Sequence, residues 1–360
     1  MPRPRDLGLG IGRLPVGPTN SVLDIAGVGL GHATIWRDEP DPPSGRGVAR
    51  TGVSCLVLAE DSYRRPVPAG AAVLNGAGEC TGLLTAQEWG AAETPVYLTS
   101  TMQLGRVYDA ACEIEISRAV EVAEDVVIPV VAECDDSHLS DCRRMQVQAT
   151  DVRLAFDRAL DSRGAGSAPE SGAVGAGTGM VCFGFKGGIG TSSRVTADGH
   201  TVGVLLLTNF GLREECVVDG VPVGRLLPAP PEPRGPQRPA GSCIGIVVTD
   251  APVDGASCER LARRIGLGLG RTGSVAHHGS GEIFLGFGLG ARLDRNGALD
   301  EIPLAGRALD PLFQAVVEGT EEAVLDSMFS APAVTGRSGH HVESLHAPAT
   351  LELLEAHGRR

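Results

Sequence analysis

The residues best able to do chemistry in this 360-residue chain centre on a Gly-Ser pair, Gly241 and Ser242. A proline-rich segment leads up to the pair, and the apolar run 243–249 follows at once. This arrangement predicts a serine at the start of a buried strand. If the peptide bond before Ser242 were cut, that serine would carry both a hydroxyl and a free α-amine. The usual pKa of such an amine, about 7.7–8.0, would let it accept a proton near neutral pH.

A second reactive pair, Ser280 and Glu282, lies in a Gly-Ser-Gly-Glu sequence just before the apolar run 283–287. Residues two apart on a strand point to the same face of the sheet. We therefore expect the hydroxyl and the carboxylate to lie side by side, where they could orient a nucleophile and accept its proton. The alternative interpretation is a polar turn at the solvent-exposed start of a strand.

Asn209 closes the apolar run 201–208, which is typical of a buried strand. Its side-chain amide could donate a hydrogen bond to a developing oxyanion. One such donor contributes a factor of about 10²–10³ to the rate of an enzyme. The alternative is an ordinary asparagine in a turn.

An acidic cluster follows the predicted strand 126–132 and contains Glu133, Asp135, Asp136, His138 and Asp141. A carboxylate at the mouth of a pocket could bind the ammonium group of a substrate. Together with His138 it could also hold a metal ion. A solvated acidic loop is the alternative.

The glycine-rich stretch 172–194 lacks both of the usual phosphate-binding patterns. It contains no strand followed by Gly-x-Gly-x-x-Gly and a helix, and no Gly-x-x-x-x-Gly-Lys-Ser/Thr. A nucleotide site is therefore not expected. The glycines would instead let the backbone pass close to a ligand or a neighbouring segment.

Hydrophobic periodicity predicts alternating strands and helices around these residues, which is typical of a layered α/β domain. The predicted strands are 53–59, 71–75, 126–132, 180–185, 194–196, 201–208, 243–249 and 283–287. The predicted helices are 109–124, 143–160, 257–270 and 318–330. Residues 162–177 read as a surface loop, and residues 226–241 as an extended linker because their six prolines exclude a helix or a central strand.

Composition restricts the possible partners and the compartment. A formal net charge of −13 disfavours nucleic acid and anionic membranes as partners. No apolar stretch reaches the roughly 20 residues of a membrane-spanning helix. The nine cysteines form no Cys-x-x-Cys pair, and the basic N-terminal segment has no apolar core, so we expect reduced thiols, no metal site and a cytoplasmic protein.

Taken together, these segments resemble the DmpA-type L-aminopeptidase/D-esterase family, which includes the β-aminopeptidases. The matching stretches follow one order along most of the chain: VGPTNSVLDIAGVGLGH, RTGVS, VLNGAGECTG, GAVGAGTGMVCFGFKGGIGTSSR, TVGVLLLTNFG, VDGVPVG, GSCIGIVVTDAP and RTGSVAHHGSGEIFLGF. The resemblance implies a four-layer α/β/β/α sandwich. It implies a single catalytic domain, residues 1–360, made as a precursor that is cut into an α chain, 1–241, and a β chain, 242–360.

The resemblance also implies a role for each candidate residue. The nucleophile would be Ser242, with Ser280 and Glu282 beside it, and Asn209 would stabilise the oxyanion. Glu133 would bind the amine of the substrate, a small peptide, amide or ester that loses its N-terminal amino acid. The family uses no metal or organic cofactor, and its members are usually tetramers of αβ units.

The sequence departs from the family pattern at three places. His138 stands where the family often has a tyrosine, Ser100 stands in a Thr-Ser-Thr triplet where Thr-Asn-Thr is common, and Cys243 follows the nucleophile where an aliphatic residue is usual. If His138 replaces that tyrosine at the substrate, its imidazole can donate a hydrogen bond but titrates near neutral pH.

Two other functions remain open from the sequence. One is an acyltransferase similar to the ornithine acetyltransferases, which share a self-cleaving layout but use a threonine nucleophile where this chain has Ser242. The other is an oligomeric scaffold that has kept the fold and lost the activity, which the change at His138 allows.

Overall fold

The computed structural model describes residues 1–228 and 240–359 of the chain. The β-strands in these ranges are β1 (Gly29–Asp38), β2 (Val48–Val57), β3 (Val67–Gly76), β4 (Ala91–Ala92), β5 (Val96–Ser100), β6 (Val130–Cys134), β7 (Val181–Cys182), β8 (Phe185–Lys186), β9 (Gly188–Val195), β10 (Thr201–Asn209), β11 (Ala240–Thr249), β12 (Gly279–Gly288), β13 (Val334–Thr335) and β14 (His341–Val342).

The α-helices of the same ranges connect these strands and cover the two larger sheets. They are α1 (Leu83–Glu88), α2 (Leu104–Arg118), α3 (Ala149–Asp161), α4 (Val223–Leu226), α5 (Gly255–Arg271), α6 (Asp310–Phe329) and α7 (Pro348–Ala356). None of the helices in the described ranges combines the length and the apolar character needed to cross a membrane.

Two sheets pack face to face in the middle of the molecule. The smaller has the order β1-β2-β5-β6, and the larger has the order β4-β3-β12-β11-β10-β9. Buried side chains from both sheets, such as Leu56, Leu98, Ile246 and Leu285, form one apolar cluster between them. Because both sheets contribute to this cluster, it is the inner core of a sandwich.

A layer of helices covers the outer face of each sheet. Tyr97 of the smaller sheet packs in one cluster with Phe156 of α3. Val247 of the larger sheet packs in another cluster with Ile265 of α5 and Val324 of α6. The four-layer α/β/β/α sandwich expected from the resemblance is therefore confirmed.

Burial of strand β10 on both faces explains why its sequence is almost continuously apolar. Leu205 and Leu207 point into the core between the sheets, whereas Leu206 points to the helices on the outer face. A strand that is buried on both faces has no position for an alternating polar residue. Polar residues return only where the strand ends, at Thr208 and Asn209.

Helix α6 carries buried carboxylates that hold β9 and the N-terminal segment. Arg194 of β9 is fully buried and donates to Glu322 at 2.6 Å. Arg5 donates to the same carboxylate at 2.7 and 2.8 Å. This buried ion pair lies near the end of β9 that is farther from Gly188, since Arg194 pairs with Val202 near the start of β10.

Several predicted elements are confirmed with wider bounds, and these lie mostly in the larger sheet. The predicted strands 201–208, 243–249 and 283–287 correspond to β10, β11 and β12. The predicted helices 257–270 and 318–330 correspond to α5 and α6, although α6 begins eight residues earlier, at Asp310.

Other predicted bounds are wrong for local reasons. The strand predicted from residue 126 begins only at Val130, directly after Pro129, which has no N–H to donate to a strand partner. The helix predicted from residue 143 begins only at Ala149, after Gln148 in an extended conformation. The strand predicted over 180–185 is a hairpin, β7–β8, whose turn residues Phe183 and Gly184 have φ of 51° and 69°.

The predicted linker 226–241 is structured at both ends. Leu226 is the last residue of α4, and Ala240 and Gly241 belong to β11. Residues 229–239 lie outside the described residues. The serine that follows the linker is therefore not the first residue of its strand, because two residues before it already pair with β12.

Candidate active site

Ser242 lies near the start of β11, the strand between β10 and β12 in the larger sheet. It pairs with Asn209 of antiparallel β10 on one side and with Gly281 of parallel β12 on the other. The residue is only 4 % exposed. Its Oγ nevertheless makes no hydrogen bond with a residue of the described ranges. A buried hydroxyl without a partner costs free energy. Since this one has no partner in the described ranges, it can still bond an incoming group.

Gly241 precedes this serine in a space that admits no side chain. A Cβ atom at this position would lie 2.5 Å from the backbone oxygen of Asn209 and 2.8 Å from the Cα of Phe210. Both are backbone atoms, which cannot move aside as the end of a flexible side chain can. On the other side, Gly241 pairs with Ser280 of β12. The acyl half of the Gly241–Ser242 bond is therefore enclosed by backbone.

Ser280 and Glu282 lie on the same face of β12, and the Ser280 hydroxyl donates to Oε1 of Glu282. Their strand partners on β11 are Gly241 and Cys243, the residues before and after Ser242. Both side chains are buried, and Oε2 of Glu282 has no hydrogen-bond partner in the described ranges. Burial raises the pKa of Glu282, against the opposing effect of the Ser280 hydrogen bond.

Hydrogen bonds from β3 hold the start of β12. The Asn75 side-chain amide donates to the backbone oxygen of His277 at 2.9 Å and to that of Ser280. The His277 ring lies 2.7 Å from a carboxylate oxygen of Glu215. These contacts fix the backbone that carries Ser280 and Glu282.

Asn209 lies across the pair of strands from Ser242, and its carboxamide is fixed at both ends. Oδ1 accepts from the backbone N–H of Val181 at 2.9 Å. Nδ2 donates to the backbone oxygen of Asp135 at 2.9 Å. An amide nitrogen carries two hydrogens, so one N–H of Asn209 remains for a further acceptor.

Glu133 is buried at the end of β6 and faces the start of β12. One oxygen accepts from the backbone N–H of Glu79 at 2.9 Å, and the other accepts from the Thr101 hydroxyl. A Cβ placed on Gly78 would lie 3.2 Å from Glu133 Oε1 and 4.0 Å from the Cα of Gly281, so only Gly78 separates the carboxylate from the strand partner of Ser242. Burial raises the pKa of Glu133, while its two hydrogen bonds act in the opposite direction.

His138 is exposed and lies in the loop after β6. Its ring stacks on that of His340, with 4.5 Å between ring centroids, and its backbone oxygen is 2.8 Å from Nδ1 of His340. Strand pairing therefore places Ser242 beside Asn209 of β10 and beside the strand that carries Ser280 and Glu282, and Glu133 lies next to Gly281 of that strand. His138 lies in the neighbouring loop, whose Asp135 contacts Asn209.

Two buried ionisable residues beside the site lie in the sequence motifs but were assigned no role of their own there. Asp136 is buried with Oδ2 unpaired in the described ranges, and burial raises its pKa to about 7. Lys186 is fully buried in the glycine-rich stretch, and burial lowers its pKa to about 7. A signal for Lys186 was present in the sequence, since the other basic residues among the 31 Lys and Arg are all arginine.

The acidic cluster at 133–141 does not form a metal site in the structure. Across residues 1–228 and 240–359, no three His, Cys, Asp or Glu side chains are grouped so that they could hold a metal ion. Glu133 and Asp136 are buried and directed to different neighbours, whereas Asp135 and His138 are exposed.

Comparison with known proteins identifies similar sequences over nearly the whole chain. The sequence model of peptidase family S58 matches residues 20–342 of this chain. The β-peptidyl aminopeptidase BapA of Sphingosinicella microcystinivorans is 36 % identical over 362 residues, which cover 96 % of this chain and 89 % of that protein.

Solved structures give the same result for the fold. A β-aminopeptidase from a Burkholderia species superposes with a TM-score of 0.88 at 35 % identity, covering 100 % of both chains. The L-aminopeptidase D-Ala-esterase/amidase of Ochrobactrum anthropi, described as a prototype for the serine aminopeptidases and a variant of the Ntn hydrolase fold, superposes with a TM-score of 0.87 at 32 % identity. That alignment covers 100 % of this chain and 99 % of the other.

Proposed function

Because the chain belongs to peptidase family S58, we propose that this serine aminopeptidase is made as a precursor that cuts its own Gly241–Ser242 bond. The products are an α chain, 1–241, and a β chain, 242–360, which together make up one catalytic domain. The observation that carries this proposal is the buried hydroxyl of Ser242, which bonds no residue of the described ranges and lies on β11, between the strand that ends in Asn209 and the strand that carries Ser280 and Glu282.

Self-cleavage begins when Oγ of Ser242 attacks the carbonyl carbon of Gly241. The C–N bond breaks, an ester forms between Gly241 and the serine oxygen, and the nitrogen of Ser242 becomes a free amine. The proton of the hydroxyl passes by way of Ser280 and Glu282 to this nitrogen. Water then hydrolyses the ester, which leaves a carboxylate on Gly241 and restores the hydroxyl of Ser242.

Turnover repeats the attack on a substrate acyl group. The α-amine of Ser242, with a usual pKa of about 7.7–8.0, or the Ser280–Glu282 pair takes the hydroxyl proton and passes it to the leaving amine. The free N–H of Asn209 stabilises the oxyanion of the tetrahedral intermediate. Water then releases the acyl group from Ser242 as a free amino acid.

Glu133 selects substrates that have a free amino end. The carboxylate is buried beside the partner strand of the nucleophile, where solvent screens an ion pair only weakly. An ammonium group that binds there also holds the carboxylate in its charged form, against the burial that raises its pKa. His138 borders the substrate from the adjacent loop.

The space around Gly241 suggests the acyl groups that the site prefers. If the substrate carbonyl occupies the position of the Gly241 carbonyl, the adjacent carbon has no room for an L side chain, because Asn209 and Phe210 backbone atoms fill it. Glycyl groups and β-aminoacyl groups with an unsubstituted carbon next to the carbonyl fit this space. In support, the name of a similar protein, BapA, describes a β-peptidyl aminopeptidase.

The proposed assembly is a tetramer of αβ units in the cytoplasm. In support of an interface, β3, α1 and α5 line an apolar groove of about 460 Å³ that includes the exposed Leu74. In support of a reducing compartment, all nine cysteines are free and seven of them are buried.

Intact-mass measurement of the purified protein tests the proposal. The wild-type chain should yield two fragments, 1–241 and 242–360, whereas Ser242→Ala should remain one chain with no peptidase activity. The exposed Ser167 provides the matched control, since Ser167→Ala should be cut like the wild type. Cleavage of Ser242→Ala at the same bond, or an uncut wild type, would contradict the mechanism.

A further inference from the structure

Lys186 is the one lysine of the chain, and it is fully buried at the end of the β7–β8 hairpin. All the other residues among the 31 Lys and Arg are arginine, which stays charged in any surroundings. A lysine ammonium, by contrast, is compact and can be enclosed by three acceptors. Burial of this group is costly and lowers its pKa to about 7. Solubility and surface charge therefore do not explain why a lysine occupies this buried position.

The ammonium group of Lys186 is enclosed by backbone. Its three N–H groups donate to the carbonyl oxygens of Gly177 at 2.9 Å, Met180 at 2.7 Å and Gly187 at 2.8 Å. These carbonyls belong to the glycine-rich segment, which has few side chains of its own to hold it in place. The Asp136 carboxyl adds a longer-range attraction to the ammonium.

One of these carbonyls leads directly to the candidate oxyanion donor. The oxygen of Met180 and the N–H of Val181 belong to the same planar peptide group. The oxygen accepts from Lys186, and the N–H donates to Oδ1 of Asn209 at 2.9 Å. A single rigid unit thus connects the ammonium to the carboxamide, and hydrogen bonds in such a chain strengthen one another.

We infer that Lys186 is a positioning residue for the oxyanion, which orients and polarises the Asn209 carboxamide through the Met180–Val181 peptide group. Lys186 does not touch the substrate. The ammonium draws electron density from the peptide carbonyl, the peptide N–H becomes a stronger donor to Oδ1, and the free N–H of Asn209 becomes a stronger donor in turn. This inference rests on the role of Asn209 in the proposed function.

The second contact of Asn209 completes its orientation. Nδ2 donates to the backbone oxygen of Asp135, the residue next to the buried Asp136. With Oδ1 fixed by Val181 and one hydrogen fixed by Asp135, the remaining N–H can take only one direction. Loss of the Lys186 ammonium would remove a donor from three buried carbonyls. Those of Met180 and Gly177 would keep only longer backbone bonds, from the N–H of Gly187 at 3.1 Å and of Met180 at 3.3 Å, and the Val181 peptide could move. A displacement of about 1 Å at a catalytic donor can cost about 10²-fold in rate.

A double-mutant cycle between Lys186→Met and Asn209→Ala tests the inference. Kinetics with a small amide substrate are expressed per processed molecule, counted by intact mass. Asn209→Ala should lower kcat by about 10²–10³-fold. Lys186→Met should lower kcat by about 10–10²-fold with KM within about twofold. The double variant should be no slower than Asn209→Ala alone, because Lys186 acts only through Asn209.

Arg194→Met is the matched control, since it also removes a fully buried cation that bonds backbone oxygens. Arg194 lies about seven residues along the strands from Asn209, roughly 23 Å away. It should lower thermal stability and leave kcat per processed molecule unchanged. If Lys186→Met does not fold, Lys186→Gln takes its place and should show the same fall in kcat.

The outcomes separate the inference from the function on which it rests. If Asn209→Ala leaves kcat unchanged, the oxyanion role of Asn209 is wrong and the inference is wrong with it. If Asn209→Ala slows turnover but Lys186→Met does not, only the inference is overturned. The same holds if the two losses multiply in the double variant, because Lys186 would then act by another route.

Discussion

Single side chains of the candidate site divide into those with unused bonding capacity and those that are fixed. Oγ of Ser242 and Oε2 of Glu282 are buried without partners in the described ranges. By contrast, both polar atoms of the Asn209 carboxamide and both oxygens of the Glu133 carboxylate make hydrogen bonds. An unpaired buried group is costly, and a role in a reaction is one explanation for it. The division therefore matches the proposed roles, in which Ser242 and Glu282 exchange a proton and Asn209 and Glu133 orient the substrate.

The raised pKa of Glu282 predicts the pH dependence of self-cleavage. In the precursor Ser242 has no free amine, so Glu282 must be ionised to accept the proton through Ser280. Burial raises its pKa, so the carboxylate is lost as pH falls through a value above the usual 4.3 or so of glutamate. The rate of fragment formation, followed by intact mass from about pH 4 to about pH 8, should therefore fall on the acid side above that usual value.

Glu282→Gln should slow self-cleavage by at least about tenfold and remove this acid limb, because an amide cannot accept the proton. The exposed Glu301 provides the control, and Glu301→Gln should keep the wild-type profile. An unchanged rate in Glu282→Gln would remove Glu282 from the proposed set of catalytic residues.

Strand β11 positions Gly241 and Ser242 through its register with both neighbouring strands. Its antiparallel pairing with β10 places Ser242 opposite Asn209, and its parallel pairing with β12 places Gly241 opposite Ser280. A shift of one residue would turn Ser242 to the other face of the sheet. The apolar residues of β11, buried on both faces, fix this register. The same pairing closes the space around Gly241.

The enclosed position of Gly241 predicts a preference among acyl groups. Three p-nitroanilides differ only near the reacting carbonyl: glycyl, L-alanyl and β³-homoalanyl. The glycyl and β³-homoalanyl compounds should have kcat/KM values at least about tenfold above that of L-alanyl, since only the latter carries a methyl group toward Asn209 and Phe210. Release of p-nitroaniline measures each rate. An L-alanyl rate equal to the glycyl rate would show that the substrate carbonyl does not follow the path of Gly241.

The whole molecule interleaves the two proposed fragments in one sheet. Strand β12 and all of β11 from Ser242 onward follow the proposed cut, and they lie between β3 and β10, which precede it. Helices α5 and α6, also from the second fragment, cover the outer face of this sheet. Neither fragment could leave without exposing the core of the other.

The processed protein should therefore remain one particle under native conditions. Size-exclusion chromatography with light scattering should give one peak that contains both fragments, with the mass of four αβ units. A denaturing gel of the same peak should show two bands. Separation of the fragments without denaturant would contradict the interleaved sheet, and a mass of one αβ unit would contradict the tetramer.

Local sequence determined much of the fold and the centre of the site. The continuous apolar runs of β10, β11 and β12 have one compatible environment, a sheet buried on both faces, so these strands could be predicted. The spacing of Ser280 and Glu282 sets their common face through the strand period alone. Strand β1 could not be predicted in this way, because its second half, from Thr34 to Asp38, mixes exposed and buried residues.

Tertiary structure alone decided which distant groups meet. Asn209 and Glu133 look like ordinary ends of strands in the sequence. Pairing of β10 with β11 brings Asn209 to Ser242, and the packing of the two sheets brings Glu133 to the neighbouring strand. Lys186 shows most clearly what the sequence cannot predict. The sequence shows that it is the one lysine, but its partners are backbone carbonyls, which every residue has. The Gly241–Ser242 bond was marked by its local sequence, whereas the enclosure of that bond by Asn209, Phe210 and Ser280 comes from strand pairing across the fold. Contacts through backbone groups leave no side-chain pattern to read, and for that reason only the folded chain reveals them.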